Sequence, residues 1–528
     1  MNLLQHPHFR PRHYLGGSAV IFFIVLLYGF SLSAVFSVGS GYALSDFLKD
    51  DYLHQVIAFS FGQAFLSALF SSVIGTLFAR AFFYLDFKGK SLILRIFSLT
   101  FVLPALLAIF GLIGIYGTAG WLTQLLQTLG VSWKPSIYGL SGILIAHLFS
   151  RMSLQALQSV PTEQHQLAAQ LNIKGFTFFR LIEWPYLKSQ IVSAFVLIFM
   201  LCFTSFTIVL ALGGGPQNST LEVAIYQAIF FEFDLPKAAL FALVQFAFCF
   251  ALFSLSQYWA KAPETQISQR YRWVLPISSA VKFGHVFVLF LVCLFILTPL
   301  FNIIFQGLSA TQLFGYWQNP QLWKALAYSL TMAPAAGILS VLFGFFLLLL
   351  SRQLQWLYHP KLAHLILTGG MMILAIPTIV LAVGLFLWLQ DIDFSAGHLF
   401  VVVSVCNALA ALPFVIKILN TPMNQSMQYY EKLCLSLNIT GWQRFHLIEY
   451  PLLKAPLKYA LALATTLSLG DFTAIALFGS PDFTSLPHLL YQQIGQYRSQ
   501  EAAVTALILL GLCLGLFMFI EGQKEQHD

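Results

Sequence analysis

Apolar residues fall in runs of about twenty along this chain, separated by short polar stretches. Runs of that length have the reach to cross a bilayer core as helices, the form in which a segment satisfies its own backbone without water. The pattern predicts about twelve spans, near residues 15–38, 55–84, 92–117, 136–158, 189–213, 237–259, 282–307, 323–351, 362–389, 397–420, 454–479 and 502–520. The expected fold class is therefore all-α, a polytopic membrane protein embedded in the lipid bilayer. A basic leader with Arg10 and Arg12 precedes the first run. That run is longer than the apolar core of a cleaved signal peptide, about 7–15 residues, and reads as a retained span.

Composition strengthens this picture. Hydrophobic residues make up 58% of the 528, with 53 Phe, and charged residues only 9%. A soluble protein would carry about a quarter. With the N-terminus in the cytoplasm, all but five of the 27 Lys and Arg fall in cytoplasmic segments; Lys49, Lys134, Lys237, Lys324 and Arg498 fall outside. This asymmetry is the positive-inside pattern, and it places both termini in the cytoplasm. The net charge of +7 is thereby a membrane signature, and no nucleic-acid surface is needed to explain it. The six cysteines have no CxxC spacing and lie mostly within apolar runs, so they read as small buried hydrophobes with no metal site.

The chain also repeats. "QHQLAAQLNIKGFTFFRLIEWPYLK" (Gln164–Lys188) aligns at an offset of 266 with "YEKLCLSLNITGWQRFHLIEYPLLK" (Tyr430–Lys454). Leu171/Leu437, Asn172/Asn438, Gly175/Gly441, Phe179/Phe445, Glu183/Glu449 and Pro185/Pro451 are identical pairs. "LPALLAIFGL" at Leu103 faces "IPTIVLAVGL" at Ile376, and "TLEVAIYQAI" at Thr220 faces "SLPHLLYQQI" at Ser485. The expected organisation is two six-span repeats, 1–260 and 261–528, carrying equivalent cytoplasmic loops at 161–188 and 425–454. Six is even, so both repeats enter the membrane from one side as a parallel pair, with a path expected between them.

Each loop reads as two short helices joined by a turn. Thr162 is placed to cap the first, Leu167 and Leu171 lie one turn apart, as do Leu433 and Leu437, and Asn172 and Asn438 sit where a left-handed residue ends a helix. Phe176, Phe179 and Ile182 then recur at helical spacing, matched by Trp442, Phe445 and Ile448. Such a stripe fits either a helix lying in the headgroup layer or a surface that docks into a soluble partner.

The loop resembles the coupling loop of binding-protein-dependent ABC importer permeases, whose pattern is Glu-Ala-Ala, Leu-Gly three residues on, then an apolar stretch ending in Pro. Here Glu-Ala-Ala becomes Gln166-Leu167-Ala168 and Lys432-Leu433-Cys434, and the Gly becomes Asn172 and Asn438. Together with "LALGGGPQNSTLEVAIYQA", "SLGDFTAIALFG" and "LYQQIGQYRSQEAAVTALILL", the whole chain looks most like the fused permeases of thiamine (vitamin B1) importers. That resemblance implies a type I importer permease fold in a bacterial inner membrane. It also implies two copies of a cytoplasmic ABC ATPase, a periplasmic binding protein, and a small cationic cargo, thiamine or its phosphate esters. On it, Gln166, Leu167, Ala168, Leu171, Asn172, Gly175, Phe176, Phe179 and Glu183 are expected to couple to the ATPase. So are Lys432, Leu433, Leu437, Asn438, Gly441, Trp442, Phe445 and Glu449.

No energy source is visible in the chain. "FKGKS" at Phe87–Ser91 lacks the upstream Gly of a phosphate loop, since Tyr84 stands there. No catalytic residues and no cofactor are expected in this chain, ATP and Mg being bound by the partner ATPase. Asp471 is the ionisable residue closest to a span interior, opposite Ser205 in the other repeat; it either ends a helix or lines the path of a cation. A ferric iron importer permease is the runner-up. An ion-coupled secondary transporter would need more intramembrane carboxylates, and an intramembrane enzyme a convergent catalytic set.

Overall fold

The computed structural model describes residues 12–41, 47, 49–132, 136–151, 162–173, 175–259, 278–311, 313–357, 359–390, 396–437, 439, 441–480 and 483–521. Among them the chain is helical apart from turns and one isolated bridge between Ser480 and Phe483. The principal helices are, in the first repeat, α1 (Arg12–Gly39), α2 (Asp51–Tyr84), α3 (Lys90–Val102), α4 (Ala105–Tyr116), α5 (Leu140–Arg151), α6 (Thr162–Gln170), α7 (Trp184–Phe203), α8 (Phe206–Leu212), α9 (Leu221–Phe230) and α10 (Leu235–Trp259). In the second they are α11 (Ser279–Ser309), α12 (Pro320–Trp356), α13 (Pro360–Gly370), α14 (Thr378–Leu389), α15 (Ala396–Ser436), α16 (Tyr450–Gly470), α17 (Thr473–Phe478), α18 (Leu486–Gly495) and α19 (Ser499–Glu521).

Among the described residues nine helices are long and apolar enough to cross a bilayer, or ten if the bent pair Ala194–Phe203 and Phe206–Leu212 is one span. The two remaining expected spans hold shorter apolar helices, α5 and α14. Span nine is interrupted because Pro377 stands ahead of α14 and the preceding turn is a 3₁₀ segment, Met372–Leu374. Pro104 does the same between α3 and α4 in the first repeat, so the break is itself repeated.

Residues pack into two compact units, and these do not follow the repeats. The larger holds Met1–Lys49, Ile225–Phe250 and Gly307–Asp528; the smaller holds Asp50–Ala224 and Ala251–Gln306. Each unit takes its opening span from the other repeat. In the larger unit α1 lies against α14: the Ser31 hydroxyl donates to the Leu381 carbonyl (3.1 Å), and Phe30 stacks on Trp388. Gly384 permits this approach, because a Cβ there would strike the Ser31 side chain and backbone. In the smaller unit α11 lies against α4 in the same way. A Cβ on Gly111 would sit 2.8 Å from the Pro299 carbonyl oxygen, and Asn302 donates to the Gly111 carbonyl (3.4 Å). Small residues let helix backbones approach closely where lipid supplies no hydrophobic drive for association.

Candidate functional site

Both copies of the repeated loop fold into the same device. In the first, α6 ends as the residue types predict. Asn172 is left-handed (φ 52°), its N–H reaches the Ala169 carbonyl, and the Ile173 N–H closes on the Ala168 carbonyl (2.8 Å). Ala168 is buried beneath Phe178, with Ala169, Ile173 and Ile182 completing a small core. In the second copy the Ile439 N–H closes on the Cys434 carbonyl (2.9 Å), and Cys434 is buried where Ala168 is. The first helix of this copy is continuous with span ten, since α15 runs unbroken to Ser436. Asn438 lies outside the described residues, as do the side chains of Thr162, Lys432 and Trp442.

The second helical segment begins at Gly175 (φ 61°) in one copy and Gly441 in the other, and each then passes through a π-helical turn: Phe179–Glu183 and Phe445–Glu449. A π turn inserts an extra residue and rotates the helix beyond it. The expected stripe is accordingly split. Phe176 is 75% exposed, but Phe179 is half-buried under the Arg80 guanidinium, 4.8 Å from its ring centroid, and Ile182 joins the loop core. Phe445 packs edge-on against Phe345 at 5.9 Å. The outward face is carried by Gln166, Leu167, Leu171 and Phe176 in one copy and by Leu433 and Leu437 in the other.

The rotation also buries the glutamate that closes each π turn. Glu183 is held by Arg80 of α2 (2.7 Å) and by the Tyr84 hydroxyl, which donates to its other oxygen. Glu449 is held by Arg352 of α12 (2.7 Å) and by Arg444 from the loop itself (2.9 Å). A carboxylate so enclosed requires its partners, because an unpaired charge in that setting costs several kcal/mol, about 3–5. These glutamates therefore tie the loop to the rest of their unit, and the exposed leucines and Phe176 are the groups open to contact. Sequence reasoning misses Arg80, Tyr84, Arg352 and Arg444. The signal present in the chain is an arginine near the end of a long apolar run in both repeats, which the positive-inside count absorbs as loop charge.

Asp471 lies at the junction of α16 and α17. Its Oδ1 accepts from the Thr473 N–H at 3.4 Å. The Asn407 amide satisfies its surroundings when its nitrogen faces Asp471 Oδ2 (2.7 Å) and its oxygen accepts from Ser468 (3.1 Å). Ser205 is buried at the equivalent junction of α7 and α8 in the smaller unit, where the two helices meet at 56°. Lys90, in the phosphate-loop decoy, donates to the Leu85 carbonyl (2.7 Å) and sits over the Phe82 ring, which serves the start of α3.

Two stretches, residues 71–262 and 354–521, match the family described as binding-protein-dependent transport system inner membrane component. A thiamine transport system permease protein of Haemophilus influenzae is 56% identical, over 100% of this chain and 99% of that protein. Its counterpart in Escherichia coli is 46% identical over 90% and 89%. A Haemophilus influenzae protein named as a ferric transport system permease is 23% identical over 85% and 74%. No solved structure matches. The matched stretches cover more than half of the chain and contain both copies of the loop, and the chain belongs to the family of binding-protein-dependent transport system inner membrane components.

Proposed function

We propose that this chain is the membrane-spanning permease of an ATP-driven importer of thiamine and its phosphate esters. The observation that carries the reading is identity across the full length to thiamine transport permeases, far above the 23% to the ferric one. ATP hydrolysis comes from two copies of a separate ATPase, which binds ATP and Mg and docks on the exposed faces of the two loops. A periplasmic binding protein delivers the cargo to the opposite side. The positive-inside pattern supports cytoplasmic termini and loops. Docking rests on the loop's construction: a glutamate-anchored hairpin holds Leu167, Leu171 and Phe176 outward as a rigid apolar patch, and a second patch carries Leu433 and Leu437. Each large apolar side chain buried in a partner groove contributes about 1.5–3 kcal/mol.

The test is uptake of radiolabelled thiamine by cells lacking their own importer, given this chain with its neighbouring ATPase and binding protein. Uptake that needs all three, is competed by thiamine pyrophosphate and ignores ferric iron is expected. Ferric competition without thiamine uptake overturns the cargo. ATP hydrolysis by the rigorously purified chain alone overturns its role as a subunit without an ATPase site.

A further inference from the structure

Each of the long helices α2 and α12 is fastened at two places about 30 Å apart or more. Toward one end Arg80 holds Glu183 and Arg352 holds Glu449, each at 2.7 Å. Toward the other end a serine of the same helix caps a different helix. The Leu221 N–H, at the start of α9, donates to Ser60 (3.0 Å), and the Leu486 N–H, at the start of α18, donates to Ser329 (2.8 Å). The first N–H groups of a helix have no partner inside it, so these hydroxyls tie the starts of α9 and α18 to α2 and α12. Both kinds of contact occur once in each repeat.

From Ser60 to Arg80 the helix rises about 30 Å, and from Ser329 to Arg352 about 34 Å. Both stretches are unbroken helix, and α12 remains so through an internal proline, Pro334. The chain also connects the same two points covalently, through α7 and α8 or α16 and α17. That route is broken at Ser205, with a 56° bend, and again at Asp471. Of two parallel links between loop and far segment, one is a continuous rod and the other has a joint.

We propose that α2 and α12 are struts that make the loop and the far-end segment of each repeat move together, with Arg80, Arg352, Ser60 and Ser329 as positioning residues. The proposal rests on reading the loops as ATPase docking sites. The segments α9 and α18 lie on the side where cargo is delivered, so the strut carries the state of the ATPase to that side without touching ATP or cargo. A displacement of the loop pulls on the buried glutamate and travels along the rod, and the jointed route absorbs the change in angle.

The experiment uses the full complex of chain, ATPase and binding protein in lipid nanodiscs and compares two paired variants, Glu183→Gln with Glu449→Gln, and Ser60→Ala with Ser329→Ala. The readouts are ATPase retained, ATP hydrolysed and radiolabelled thiamine moved per inserted molecule. The serine pair is expected to keep the ATPase and its hydrolysis while thiamine moved per ATP falls roughly tenfold, within the range usual for coupling between sites; the glutamate pair, which also anchors the docking loops, is expected to show the same fall per ATP with less ATPase retained. Ser60→Thr with Ser329→Thr, which keeps the hydroxyls, is expected to recover most of it. Unchanged thiamine per ATP in the serine pair overturns the strut, and so does a loss confined to insertion or to ATPase retention. Absence of the ATPase from the wild-type complex fails the docking reading instead, and is seen before any variant is made.

Discussion

The two loops grip the same glutamate with different hands. Glu183 faces one guanidinium, Arg80, and one phenol, Tyr84; Glu449 faces two guanidinium groups, Arg352 and Arg444. Arg444 occupies the position that Phe178 fills in the first copy, where the ring packs on Ala168. Among the described residues, one loop is therefore consolidated by a small apolar core and a single ion pair, and the other by a doubled ion pair. What the repeat preserves is the buried acid and an arginine from the long helix. The rest of the grip has been free to change.

This difference ranks the arginines. Arg80→Met leaves Glu183 buried with Tyr84 as its remaining partner among the described residues, and a lost partner for a buried charge costs about 3–5 kcal/mol. Arg352→Met leaves Glu449 still paired with Arg444, so the cost is expected to be smaller, about 1–2 kcal/mol. The thermal midpoint of purified protein is expected to fall furthest for Arg80→Met. Combining Arg352→Met with Arg444→Met is expected to bring the second loop down to the level of the first. Equal midpoints for the two single variants would mean that Arg444 carries none of the load.

The outward faces can be compared next. Phe176→Asp removes apolar contact from the first loop without touching its core, whereas Leu437→Asp does so in the second. Each is expected to reduce the copurified ATPase from two copies toward one, at a cost of about 1.5–3 kcal/mol in docking, with the inserted amount unchanged. Mass measurement of the complex decides. Phe179→Asp is expected to behave differently, because Phe179 lies beneath Arg80; it lowers the inserted amount as well. Full retention of both ATPase copies in the Phe176 and Leu437 variants would move docking elsewhere.

Much of this is legible in the sequence, and what is hidden has physical causes. Apolar runs locate the spans because bilayer thickness fixes their length. Asn172 marks the end of α6 because few residue types accept φ > 0. The exchange of α1 and α11 between repeats leaves no such mark: an opening span is equally apolar whichever neighbour it packs on, and glycines such as Gly111, Gly114 and Gly384 hint at a close approach without naming the partner. Phe179 is misplaced by the sequence pattern because helical spacing assumes 3.6 residues per turn, and the π turn departs from that just there. Glu183 and Glu449, expected among the coupling residues, are turned inward for the same reason.

Asp471 tests the two helix junctions against each other. With Thr473 and Asn407 holding its oxygens, Asp471→Asn keeps one acceptor for the Thr473 N–H and is expected to change thiamine uptake per inserted molecule by less than about threefold, while Asp471→Ala lowers the inserted amount through a lost cap of about 1 kcal/mol. A selective loss of uptake in the Asn variant, at normal abundance, would instead place the carboxylate on the cargo's path.

The smallest effect concerns α9 and α18, whose starts the two serines hold alike but whose sequences differ, one difference falling at residue 488. His488 on α18 stands where α9 has Val223. Burial lowers the His488 pKa from 6.5 to about 4, with Thr484 and Gln492 at its ring nitrogens and Phe472 beside it. The folded state thus favours the neutral ring. Its contribution is complete above pH 6.5, declines as pH falls toward 4 because the unfolded chain takes up the proton first, and is gone below that. Between pH 6.5 and 5.5 the loss is about 1 kcal/mol. The thermal midpoint of the wild type is expected to drop over that interval relative to His488→Val, which gives α18 the residue α9 already has. Parallel pH profiles for the two proteins would show that the imidazole is protonated alike in the folded and unfolded chain, and that the two segments are equivalent in this respect too.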